Sequence, residues 1–199
     1  MRVSELLGLT WQNVSFPNRR IRVAKTLKRI DQEFLLDPLK SRTSRRDIPL
    51  APVAIDALLV WKKTQDDDKH LSGKAWSNQW NLVFTTEVGT PIDYTSALRR
   101  FQRLMKIMEL PVIRLHDLRH TYATLLLERG VPIKVVSELL GHATVGITLS
   151  TYGHITPKMQ EQATQEIEQL FSVPAVIDSQ KNNSHGYSHG EEEEQNEKA

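Results

Sequence analysis

Residues 115–124 read LHDLRHTYAT, residues 139–144 read LLGHAT and residues 150–154 read STYGH. Apolar positions between the first two follow a helical period. Residues 117–129 are predicted as a helix stopped by Gly130, and Pro132 opens another that Gly141 ends. His116 and Arg119 are three residues apart, so both face one side of a helix start. A helical pair carrying His116, Arg119 and His142, with Tyr152 shortly after, gathers imidazoles, a fixed cation and a phenol in one short region. Such a set suits attack on a phosphodiester and stabilisation of the charge that builds up there.

Elements on either side fit a mainly α protein with a small antiparallel β-sheet, an α+β class. Towards the N-terminus, Ser4 to Leu9 reads as the end of a helix and Trp11 as an anchor into the core. Arg20 to Ala24, Glu33 to Leu36 and Arg45 to Leu50 read as three strands. Ala51 to Trp61 is predicted helical, Asp66 to Gly73 a polar surface loop, and Val83 to Thr85 a short extended segment before the turn at Val88–Pro91. Thr95 to Met108 places Leu98, Phe101, Leu104, Met105 and Met108 at helical spacing. Pro157 to Phe171 is predicted as a last amphipathic helix.

Composition bounds the rest. The 199 residues suffice for one domain with a substantial core, expected over residues 1–172. Residues 173–199 are polar and end in a run of glutamates, the composition of a disordered acidic tail. The net charge of +2 divides unevenly: without this tail, 24 basic and 18 acidic residues leave +6. A basic body suits a polyanionic partner. No apolar run is long enough to span a membrane and no secretory leader precedes the first motif, so a soluble, cytoplasmic protein is expected. With no cysteine, thiol chemistry, disulfides and cysteine zinc sites are excluded. His116 and His120 have the spacing of a zinc helix but lack its adjacent glutamate, so no metal is expected there.

Two more segments complete a pattern. Arg2 lies in MRVSELLGLTW and Lys40 in LKSRTSRRDIPL, ahead of the three motifs above. In this order the five segments closely resemble the catalytic domain of the tyrosine recombinases, the phage integrase family, over about residues 1 to 171. The resemblance implies that family's catalytic-domain fold and site-specific DNA recombination or integration through a 3′-phosphotyrosyl intermediate. It further implies double-stranded DNA as partner, a homotetramer on paired sites, no membrane and no cofactor. Against the family pattern the chain reads as lacking the first helix and the preceding DNA-grasping domains.

The resemblance assigns Arg2 and Arg119 as the two phosphate clamps and Tyr152 as nucleophile. His116 would manage protons, His142 would donate to the phosphate and Lys40 would protonate the leaving 5′-oxygen. Arg42, Arg45 and Arg46 crowd the same segment as Lys40, and the whole run is alternatively a phosphate-tracking patch. Tyr94, Tyr122 and Tyr187 read as packing or tail residues, and His120 as a helix-packing one. Competing readings are a catalytically impaired DNA-binding remnant of an integrase and, from shared tyrosine chemistry, a relaxing topoisomerase.

Overall fold

The computed structural model describes residues 1–41 and 44–152, together with residues 164, 165, 167 and 168. The first unit runs through Met1–Gln162; of the second, Ala163–Ala199, only those last four residues are described, and they are helical. The rest of the predicted last helix, the acidic tail and Arg42 lie outside the described residues.

Helix α1 (Val3–Leu7) is short because Gly8 ends it, with the Gly8 N–H bonded to Ser4 O and the Leu9 N–H to Leu6 O. A Cβ on Gly8 would stand 2.7 Å from the Leu27 backbone nitrogen. Glycine here lets the end of α1 lie directly on a strand. A 3₁₀ turn at Trp11–Asn13 leads into β1 (Val14–Ser15), then β2 (Arg20–Val23), β3 (Lys25–Ile30), β4 (Glu33–Pro38) and β5 (Arg46–Pro49).

The strands form two antiparallel sheets rather than the single small sheet expected. One has the order β1-β2-β5, with Ile21 opposite Ile48; the other is the β3-β4 hairpin, running from Lys25↔Pro38 to Ile30↔Glu33. Asp31 and Gln32 close that hairpin with φ of 47° and 69°, so both turn residues are left-handed, as a two-residue hairpin loop requires. Strand β3 escapes sequence reading because KTLKRI buries only Leu27.

Helix α2 (Pro52–Ser72) extends well beyond the predicted end at Trp61 and absorbs Asp66–Asp68, expected in a loop. Gln65 explains the difference. Its buried amide donates to Leu82 O, Val83 O and Thr85 Oγ1, while its Oε1 accepts from Trp11 Nε1 at 2.6 Å. That tether holds the second half of α2 against the core, and the acids face outward. The segment expected to be extended at Val83–Thr85 makes only isolated bridges, Thr10↔Leu82 and Thr85↔Pro91.

Helix α3 (Tyr94–Ile107) begins where the Asp93 side chain accepts from Ser96 N at 2.9 Å. Of its predicted apolar face only Met105 is buried; Leu104 and Met108 are exposed. Helices α4 (Asp117–Glu128) and α5 (Ile133–Leu140) end as anticipated, at Gly130 and Gly141, whose φ values are +76° and +70°. Helix α6 (Val145–Tyr152) was not signalled by the sequence, whose VGITLSTY is rich in β-branched residues. Ala123, Leu127, Val136, Leu140 and Tyr152 join α4, α5 and α6 in one apolar cluster. Two others lie under α1 with β3 and under β2 with α2. Among the described residues, no helix is long and apolar enough to cross a membrane.

Candidate active site

The site is built on the C-terminal end of α5. The last carbonyls of a helix have no partner inside it. Here Gly141, in the left-handed conformation, turns the chain so that its N–H caps Ser137 O and Glu138 O. The next two carbonyls are taken by arginines from elsewhere. Arg46 Nε donates to Leu139 O at 2.8 Å, and Arg119 Nη2 donates to Leu140 O at 2.7 Å. Guanidinium groups suit this position, because the helix end is electronegative.

Glu5 is the anionic hub of the arrangement. Its side chain is 1% exposed and accepts from Arg46 Nη2 at 2.8 Å, Arg2 Nη1 at 3.0 Å and the Arg2 backbone N–H at 2.8 Å. One carboxylate thereby fixes α1, Arg2 and β5 together. Burial works against the charged carboxylate, but the hydrogen bonds from Arg46 and the Arg2 backbone outweigh it and hold its pKa below the usual value. A depressed folded pKa stabilises the protein above the unfolded carboxylate pKa and loses that contribution as pH falls through the folded one. Glu5→Gln should therefore cost about 3 kcal/mol at neutral pH, since it strips the anion from a buried Arg46. Melting temperatures from neutral to acidic pH check this: the gap between wild type and variant should close as wild-type Glu5 becomes protonated.

Arg46 was expected on a phosphate-facing patch and is instead internal. Its side chain is 7% exposed, with further donation from Nη1 to Ser44 O at 3.0 Å. A Cβ on Gly141 would stand 2.5 Å from Arg46 Nη1, so the glycine of LLGHAT also makes room for this guanidinium. Arg45 does face solvent, with Nε donating to Leu39 O at 3.1 Å. The two arginines should separate in experiment. Arg45→Ala should leave the melting temperature unchanged, because that side chain faces solvent. Arg46→Ala should lower the melting temperature by leaving Glu5 buried with one cation fewer. Melting curves of both variants read this directly.

Arg119 is 9% exposed, and its Nη1 is buried with no hydrogen-bond partner among the described residues. Burial, then the neighbouring charge of Arg2, lower its pKa to about 10, with Glu5 opposing; it stays cationic at neutral pH. His142 Nδ1 lies 2.8 Å from the hydroxyl of Thr148, which is buried on α6. Burial and the charges of Arg119, Arg2 and Arg46 lower the His142 pKa, which favours the neutral ring.

Tyr152 follows Thr148 by one turn of α6 and is 4% exposed. Burial raises its pKa and Arg119 opposes the rise. Its hydroxyl lies 2.9 Å from His120 Nδ1. The His120 ring also meets the exposed His116 edge-on, at 4.9 Å between centroids. Burial, then the charges of His120 and Arg119, lower the His116 pKa. Among the described residues no group of three or more His, Asp or Glu side chains is arranged to hold a metal.

Thus the fold brings Arg2, His116, His142 and Tyr152 each within electrostatic reach of Arg119. Lys40 is not joined to them; it is exposed on the bend after β4. Sequence reading missed Glu5 and His120. The first carries a signal in hindsight, a carboxylate three residues after Arg2 at a helix start; the second carries none beyond its place next to Arg119.

A sequence model described as the phage integrase family matches residues 1–159. A tyrosine recombinase XerC-like protein of Caldanaerobacter subterraneus subsp. tengcongensis is 35% identical over 182 residues, covering 86% of this chain and 46% of that protein. The ICEBs1 integrase of Bacillus subtilis is 27% identical, with the same coverage of 86% and 46%. Among solved structures, the Tn1549 transposon integrase in complex with circular intermediate DNA superposes with a TM-score of 0.70 at 28% identity, over 85% of this chain and 56% of that one. XerA recombinase, at 23% identity and a TM-score of 0.60 over 83% of this chain and 53% of that one, shares the fold. The chain spans about half the length of the curated relatives it matches.

Proposed function

Because the chain belongs to the phage integrase family, we propose that it cuts and rejoins double-stranded DNA through a 3′-phosphotyrosyl intermediate on Tyr152, the chemistry of site-specific recombination and integration. Its mainly α fold with small antiparallel sheets is that of the tyrosine recombinases. The observation that carries the reading is Arg119 Nη1, a buried cationic donor with no partner among the described residues. Leaving such a donor unmet costs more than 1 kcal/mol, which a bound anion would recover. The neighbours of this donor match a phosphoryl group in transfer, and DNA as the bound polyanion is consistent with the DNA complex of the Tn1549 integrase.

In this reading Arg2 and Arg119 clamp the non-bridging phosphate oxygens, whose charge grows as the phosphorus becomes five-coordinate. A Thr148 hydroxyl donating to His142 Nδ1 leaves Nε2–H free to donate to the same oxygens. Tyr152 attacks, His116 assists proton movement and Lys40 protonates the departing 5′-oxygen. Arg42 and Arg45 track the flanking backbone. The ester conserves the energy of the broken bond, so rejoining requires neither a nucleotide nor a metal. Exchange between two duplexes needs four strand cleavages, which favours a homotetramer on paired sites.

A pool of nicked duplexes randomised on both sides of the nick tests the reading without knowledge of the target. Cleavage near the nick releases a short fragment and traps the protein on DNA. A protein–DNA adduct that survives denaturation is the expected result. Binding without any adduct would support a DNA-binding module and contradict the enzyme.

A further inference from the structure

We propose that His120 is a catalytic residue, the base that takes the proton from Tyr152 as the phenol attacks. This inference rests on the strand-cleavage reading above. The two residues come from α4 and α6 and lie 32 apart in the chain, yet Nδ1 and the phenolic oxygen meet at 2.9 Å. That oxygen is the reacting atom, so His120 touches the chemistry directly, with no rearrangement needed for proton transfer.

Among the described residues, the other two imidazoles of the site are worse placed for the task. His142 Nδ1 is committed to Thr148. His116 lies behind His120, with its ring set edge-on at 76° and its position exposed at the start of α4. Among the described residues, titratable and charged groups around His120 are His116 and Asp117 at the start of its own helix, Arg119 beside it, His142 after α5 and Tyr152 on α6. The phenol also needs a base. It is buried, and burial raises its pKa, so attack at neutral pH needs a proton acceptor within hydrogen-bond reach of the phenolic oxygen.

The step balances as follows. The phenolic O–H bond breaks and its proton passes to Nδ1, giving an imidazolium. The phenolic oxygen forms a bond to phosphorus, and the bond from phosphorus to the 5′-oxygen breaks, with that oxygen taking a proton from the Lys40 ammonium of the reading above. In rejoining, the 5′-hydroxyl attacks phosphorus and gives its proton to the neutral Lys40 amine, the bond from phosphorus to the phenolic oxygen breaks, and the imidazolium returns its own proton to the departing phenol.

Two measurements test the assignment. The first needs no DNA: nitrogen NMR of the imidazole should show His120 with the proton on Nε2 and a bare Nδ1, whose resonance moves in Tyr152→Phe. A protonated Nδ1 in the neutral ring would make the phenol an acceptor and overturn the proposal.

The second is single-turnover adduct formation on the trapped duplex. His120→Ala and His120→Asn should both be slowed about 100-fold or more at neutral pH. Asparagine can hold the phenol by a hydrogen bond but cannot take its proton, and it serves alone if the alanine variant does not fold. Both variants should regain rate as pH rises and the phenolate forms unaided, so their rates should climb with pH more steeply than that of wild type. A 5′-bridging sulfur, which leaves without a proton, should not rescue them. An asparagine variant at the wild-type rate would reduce His120 to a positioning role, and rescue by sulfur would make it the acid for the leaving group; either overturns the proposal. A bare Nδ1 with no adduct from wild type would instead overturn the strand-cleavage reading itself, and the base role with it.

Discussion

Tyr152→Phe should abolish covalent attachment to DNA and leave duplex binding nearly unchanged. The substitution removes one oxygen and keeps the ring that packs with Ala123, Leu127, Val136 and Leu140. Its structural cost is the hydrogen bond to His120, about 1 kcal/mol. Loss of the nucleophile, by contrast, leaves no route to the phosphotyrosyl ester. Gel-shift titration and denaturing electrophoresis of the same samples separate the two effects. Adduct retained by the phenylalanine variant would point to another nucleophile and remove Tyr152 from the mechanism.

Arg119→Ala should slow single-turnover cleavage by about 1,000-fold, the scale on which losing one aimed donor to a developing oxyanion is felt. Arg119→Lys should recover only part of this. The guanidinium anchors one nitrogen on Leu140 O and presents another with no partner among the described residues, a division of labour that a single ammonium cannot reproduce. A fully active lysine variant would show that charge alone suffices. Stability should move differently from activity. Arg119 is a buried cation next to Arg2 and Arg46, so Arg119→Met should cost little melting temperature, because the apolar chain relieves both desolvation and like-charge repulsion. Activity lost without stability is what a residue held for its ligand should show.

Much of this was legible in the sequence, and the limits are physical. Gly130 and Gly141 fixed the ends of α4 and α5 because the left-handed turns there admit glycine at no steric cost. Helix α6 stayed hidden, since Val145, Ile147, Thr148 and Thr151 favour strands locally and only packing on α4 and α5 overrides them. The true length of α2 depends on Gln65 reaching a segment about 20 residues away, which no local pattern announces.

The same contrast holds at the site. The identities of Arg2, His116, Arg119, His142 and Tyr152 stand in motifs whose residue types already state a chemistry. The inward turn of Arg46 could not be read, because Arg45 and Arg46 are adjacent identical residues and β-strand alternation alone decides which faces Glu5, 41 residues earlier. The contact between His120 and Tyr152 was hidden for a like reason: it exists only once α4 and α6 pack together.

In strand cleavage Tyr152 should become joined to the 3′-phosphate of the cut DNA strand. Digesting the trapped adduct with protease and nuclease, then sequencing the nucleotide-bearing peptide by mass spectrometry, locates that bond. Tyr152 should carry a phosphonucleotide attached through its 3′ side, and the released fragment should end in a free 5′-hydroxyl. A nucleotide on any other residue, or one attached through its 5′ side, would rule out Tyr152 as the nucleophile of such a cleavage.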